Sequence, residues 1–156
     1  PVHRLLTPTF GAIEMRARWT PHADGMFALW MIGFEDEPHR SAEICICEIF
    51  GRDVTDSSMA IGMGLHPFRD PSIVDDFEQV TLPLDVREPH DYAAIWTPKD
   101  VTFFVDGVAV KRVSQSPQYP MQLMLSVYDF SVERSQEDRA PLVVDHLRLW
   151  SLARRA

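Results

Sequence analysis

The sequence predicts an all-β protein, an antiparallel β-sandwich, and three observations lead there. About ten short apolar or alternating segments are separated by Pro, Gly and Asp turns, the spacing of a sandwich or barrel. No segment carries an amphipathic helical pattern. Asp106-Gly107, set between Phe103-Phe104-Val105 and Val108-Ala109-Val110, is a strong hairpin signal, because a type I′ turn needs φ > 0 at both central positions. At 156 residues the chain reads as a single domain, 1–156, long enough to bury a core without staples.

Taken in order, Ile13, Met15, Ala17 and Trp19 alternate with Glu14, Arg16 and Arg18, a strand with one buried and one wet face. Thr20 to Gly25 reads as a turn, and Met26 to Phe34 as a strand buried on both faces. Glu35 to Ser41 is a polar connection into a strand at Glu43, and Gly51 to Ser57 leads out of it. Ser58 to Leu65 is a Gly-containing strand ending at His66-Pro67. Arg69 to Glu78 reads as an acidic loop, with Asp75, Asp76 and Glu78 solvated rather than gathered on a cation, and Gln79 to Leu84 as a short strand. Asp91 to Thr97, Val101 to Val105, Met121 to Val127 and Leu142 to Trp150 supply further strands, and Ser131 to Ala140 reads as a loop or a helical turn.

The bulk composition narrows the partners. A formal net charge of −8 argues against a phosphate-binding surface, since nucleic-acid affinity is carried by clustered Lys and Arg. No apolar run approaches the roughly 20 residues that span a bilayer, and no signal peptide opens the chain, so no membrane partner is expected. Cys45 and Cys47 lie two apart on one strand, poorly placed to bond each other, and read as free thiols acting as small hydrophobes. Free thiols and the absent signal favour a cytoplasmic location, with secretion as the alternative. The sequence carries no reading of oligomeric state.

The chemistry concentrates in Ala42-Glu43-Ile44-Cys45-Ile46-Cys47-Glu48-Ile49-Phe50-Gly51. Ile44, Ile46 and Ile49 favour a strand because β-branched side chains suit a pleated surface. Strict alternation would send Glu43 and Glu48 to opposite faces. One extra residue in a β-bulge around Ile46-Cys47 returns Glu48 to the face of Glu43. Two carboxylates aimed into one groove are what glycoside hydrolysis needs, and facing Glu side chains on a bulged strand can close to the ~5–5.5 Å of a retaining enzyme. The plainer reading is a pair of solvated charges, but their Ile, Cys and Phe neighbours fit a wet face poorly.

Glu-Ile-x-Ile-x-Glu followed by a hydrophobic pair and Gly resembles the signature of glycoside hydrolase family 16 in its bulged, laminarinase-like form. Gly11 to Ala17, Gly25 to Gly33 with Trp30, His90 to Pro98 followed by Phe103 to Gly107, and Val143 to Trp150 resemble further family strands, so the resemblance runs from Thr9 to Trp150. It implies a concanavalin-like jelly roll with Glu43 as nucleophile and Glu48 as general acid/base. It also implies a polysaccharide or oligosaccharide partner, a β-1,3-glucan for instance. Family members usually have several strands before the one matching Gly11 to Trp19, so the fold is expected to lack N-terminal strands here.

The family places an Asp between its glutamates where this chain has Cys45, a weak hydrogen-bond donor, so weakened turnover is expected. Flanked by carboxylates, the thiol should stay neutral. His66 matches a family position near the cleft, or is a plain loop histidine before Pro67. Trp30 and Trp96 are candidate sugar platforms or core residues, with Phe103 as a second candidate beside Trp96. Met26 stands where the family often has a ring. No cofactor is required. Asp145 corresponds to a position that binds a structural calcium in some relatives, but one carboxylate does not define a site of six to eight oxygens, and a solvated strand residue is the better reading. The rival functions are a non-catalytic carbohydrate-binding module on the same fold and a sandwich that serves some partner and binds no sugar.

Overall fold

The structure, a computed structural model, describes residues 6–131 and 141–152. Alternation builds its first strand as the sequence dictates: in β1 (Gly11–Trp19) Ile13, Met15, Ala17 and Trp19 are fully buried while Glu14, Arg16 and Arg18 face outward. The others are β2 (Gly25–Gly33), β3 (Glu43–Phe50), β4 (Met59–His66), β5 (Asp76–Leu82), β6 (His90–Trp96), β7 (Val101–Val105), β8 (Val108–Val113), β9 (Met121–Asp129) and β10 (Leu142–Ser151). Only a single 3-10 turn, Gly51–Asp53, interrupts the β-structure among the described residues.

The strands form two antiparallel five-stranded sheets, one ordered β10-β1-β6-β7-β8 and the other β5-β4-β3-β2-β9. β3 packs over β6, and β4 over β7 and β8. The inner faces meet in one core that includes Phe27, Leu29, Ile44, Ile46, Ile49, Tyr92, Trp96 and Phe103. This two-layer arrangement is a jelly-roll β-sandwich. The hairpin turn is where the sequence puts it, with Asp106 at φ 49° and Gly107 at φ 75° joining β7 to β8.

Two expectations shift. β5 starts at Asp76, three residues inside the stretch expected to be an acidic loop. Asp76 and Glu78 remain exposed, as expected, but also pair across the sandwich edge, each 2.8 Å from Lys111 Nζ on β8 of the other sheet. Of the 131–140 loop, 132–140 lie outside the described residues. Among the described residues no helix is long and apolar enough to cross a membrane.

Candidate active site

The bulge in β3 is present and has the expected effect. Against β4, Cys45 opposes Gly64 and Glu48 opposes Gly62, so Ile46 and Cys47 together face the single residue Met63. Against β2, Cys45 opposes Trp30 and Cys47 opposes Leu29, which leaves Ile46 as the extra residue. Ile46 and Cys47 both turn into the core, and Glu43, Cys45 and Glu48 share the outer face. The glycines of β4 serve its other neighbour, β5: a Cβ on Gly64, at φ 140°, would lie 2.0 Å from Asp76 O, and one on Gly62 would meet the Phe77 ring.

Glu43, Cys45 and Glu48 line an open hollow of about 220 Å³ together with Met26, Ala28, Trp30, Tyr128 and Phe130. Both glutamates are half-buried, and burial raises the pKa of each above its ordinary value. The charge of Glu48 raises Glu43 further, while His66 favours the ionised form of both. The Cys45 thiol donates weakly to Glu43 Oε2 at 3.9 Å. Burial, then the charges of Glu43 and Glu48, push this thiol far up, so it is neutral. Cys47, fully buried, is pushed up to about 12, again by burial first.

His66 on β4 pairs with Glu43 across the ladder. Its Nδ1 lies 2.9 Å from Asp75 Oδ2, and its ring stacks on Phe77 at 4.6 Å. Trp30 lies on the open face and donates from Nε1 to Ser126 Oγ at 3.3 Å, so it belongs to the hollow rather than the core. Met26 lines the hollow too, though it is 8% exposed.

The sheet register removes the other two candidate platforms. Trp96 shares the inner face of β6 with Tyr92 and Ala94 and is completely buried. Its Nε1 donates to Ser116 Oγ at 2.8 Å, and Phe10 packs edge-on at 5.1 Å. Phe103 pairs with Ala94 and is equally buried. Both belong to the sheet opposite the glutamates and pack between the layers. Trp96→Ala is therefore expected to cost stability, about 3–5 kcal/mol in chemical denaturation. A stable variant with impaired sugar binding would contradict this placement.

Asp145, on β10, is 3.7 Å from Arg16 Nε, a strand ion pair. Among the described residues no cluster of three or more His, Cys, Asp or Glu is arranged to hold a metal. Sequence reading missed Tyr128 and Phe130, which stack with ring centroids 5.9 Å apart and form one wall of the hollow. Both continue the face of Met124 and Ser126, which oppose Trp30 and Ala28 on β2.

The chain is thus a jelly roll whose open sheet carries two half-buried glutamates on either side of a bulge. The model of the family described as glycosyl hydrolases family 16 matches residues 7–145, and the chain belongs to that family. Comparison with curated proteins gives no match. Solved structures share the fold. The GlcNAcα1-4Gal-releasing endo-β-galactosidase from Clostridium perfringens superposes with a TM-score of 0.76 at 24% identity, over 93% of this chain and 38% of that one. The laminarinase catalytic domain from Thermotoga maritima gives 0.72 at 19%, over 96% and 66%. The laminarinase from Rhodothermus marinus gives 0.74 at 20%, over 96% and 68%. The chain thus spans less than two thirds of the first two.

Proposed function

We propose that the chain carries the active site of a retaining endo-glycosidase acting on a β-linked polysaccharide, with β-1,3-glucan as the leading substrate. The observation that carries this reading is the bulge at Ile46, which puts Glu43 and Glu48 on one open face, near enough for the charge of one to alter the acidity of the other. Family membership and the likeness to laminarinases support the substrate class.

In this mechanism Glu43 attacks the anomeric carbon and forms a glycosyl ester. Glu48 protonates the departing glycosidic oxygen as the bond breaks. Glu48, now ionised, takes a proton from water, which displaces Glu43 and leaves product with the original anomeric configuration. Trp30, Tyr128 and Phe130 offer aromatic faces to the apolar faces of the sugar rings. His66, beside Glu43, offers its second ring nitrogen to a sugar hydroxyl or the leaving group.

Cys45 sets the rate. A thiol 3.9 Å from Glu43 is a poor anchor for a nucleophile, and its neutrality adds no charge to the site. Cys45→Asp is expected to raise hydrolysis about tenfold by orienting Glu43 with a stronger hydrogen bond, measured as kcat/KM on laminarin. An unchanged rate would show that the thiol is not what limits turnover. The function itself is tested by assaying the full-length protein on a panel of β-1,3-, β-1,4- and mixed-linkage polymers. Hydrolysis supports it, and binding to a polymer without hydrolysis points to a carbohydrate-binding module.

A further inference from the structure

On the far side of Glu43 from Glu48 lies a second open hollow of about 460 Å³, roughly twice the first, lined by Ile32, Glu35, Ser41, Glu43, Phe68 and Arg69. Two lining residues, Phe68 at φ 45° and Glu35 at φ 54°, hold the left-handed backbone that non-glycine residues avoid. Such strain persists only where surrounding structure over-determines it.

The surrounding structure does so here. Arg69 N donates to Ser41 Oγ at 3.0 Å, and Arg69 Nη2 donates to Glu35 Oε1 at 2.8 Å, which joins the two strained segments across the hollow. Below them the buried Asp70 accepts hydrogen bonds from Tyr119 Oη at 2.6 Å and from Ser72 N at 2.8 Å. Tyr119 Oη in turn accepts from Ala42 N, the residue next to Glu43. The loop after β4 is therefore fixed to the start of β3. Yet this loop holds Phe68 63% exposed, its ring centroid 6.1 Å from that of His66 in an edge-to-face arrangement.

An isolated exposed Phe is ordinary on a protein surface. This one is held outward by strained backbone anchored at Arg69 and Asp70, and it shares its hollow with the expected nucleophile. We infer that Phe68 and the Arg69–Glu35 pair form a sugar subsite beyond the two units that flank the cleaved bond, in which Phe68 stacks on an uncharged hexopyranosyl unit and the ion pair hydrogen-bonds its hydroxyls. An aromatic face fits the C–H face of a pyranose, and charged donors and acceptors make the stronger bonds to vicinal hydroxyls. The unit is uncharged because Glu35 and Glu43 line the hollow and its one cation, Arg69, is already paired. This subsite rests on the glycosidase reading for its substrate, but its binding role can be tested apart from hydrolysis.

The test uses the full-length protein with β-1,3-linked gluco-oligosaccharides from disaccharide to hexasaccharide, comparing wild type, Phe68→Ala, Phe68→Tyr and Arg69→Ala. Phe68→Ala is expected to lower kcat/KM about tenfold on the longer oligosaccharides and to leave the shortest cleaved one unchanged, while Phe68→Tyr retains wild-type values. The same series is titrated by calorimetry in the Glu43→Gln background, where binding does not depend on turnover. Binding lost in Phe68→Ala supports the subsite even if wild type proves inactive, which would sink only the hydrolytic reading. Equal loss at every chain length, no loss at any length, or no binding of any oligosaccharide overturns it.

Discussion

Glu43→Gln is expected to abolish polysaccharide hydrolysis, by on the order of 10⁴-fold or more, while leaving glycan binding intact. The amide keeps the shape of the side chain but cannot form the glycosyl ester, so binding and chemistry separate. The same substitution should stabilise the fold at neutral pH. Burial raises the Glu43 pKa above its ordinary 4.5, so its contribution to stability is full below that value and is lost as pH rises through the folded-state pKa. Replacing it by Gln removes a buried charge at neutral pH, and the gain should vanish in acid. A thermal midpoint that rises at neutral pH while activity falls would mark a residue kept for chemistry at the expense of stability.

Glu48→Gln is expected to cost about 10²–10⁴-fold on polysaccharide and far less on an aryl glycoside whose leaving group needs no proton. The leaving-group dependence is what separates an acid from a residue that merely shapes the cleft. Both carboxyls are raised by burial, so the bell-shaped profile of the wild type should sit above the range of ordinary carboxylates, with limbs that belong to the pair. The alkaline limb reports loss of the acid form and should disappear in Glu48→Gln. An unaltered profile would assign the acid elsewhere.

How much of this was legible in the sequence depended on whether the signal was local. Glu43 and Glu48 are five apart in an otherwise apolar strand, and only an extra residue lets both avoid the core. Parity thus called for one extra residue between them if they share a face, expected around Ile46-Cys47, and the register places it at Ile46. The Asp106-Gly107 turn was local in the same way, because the required backbone angles name the residues. Trp96 and Phe103 were misplaced because their position depends on which sheet each strand joins, which no local pattern reports. Their inward parity was visible, since Asp91 marks the outer face of β6 and Thr102 that of β7. Tyr128 and Phe130 were hidden by the apolar residues on both faces of β9. Phe68 could not be read at all, since its exposure comes from a left-handed loop whose Arg69 and Asp70 are tied to Ser41 and Tyr119, both distant in sequence.

Covalent trapping decides whether Glu43 attacks the sugar from an open face shared with Glu48. Full-length protein is incubated with a 2-deoxy-2-fluoro β-glucoside carrying a good leaving group, then digested and sequenced by mass spectrometry. One fluoroglucosyl ester is expected, on Glu43, formed faster in Cys45→Asp and absent in Glu43→Gln. An adduct on another residue, or turnover of polysaccharide with inverted anomeric configuration, would contradict it.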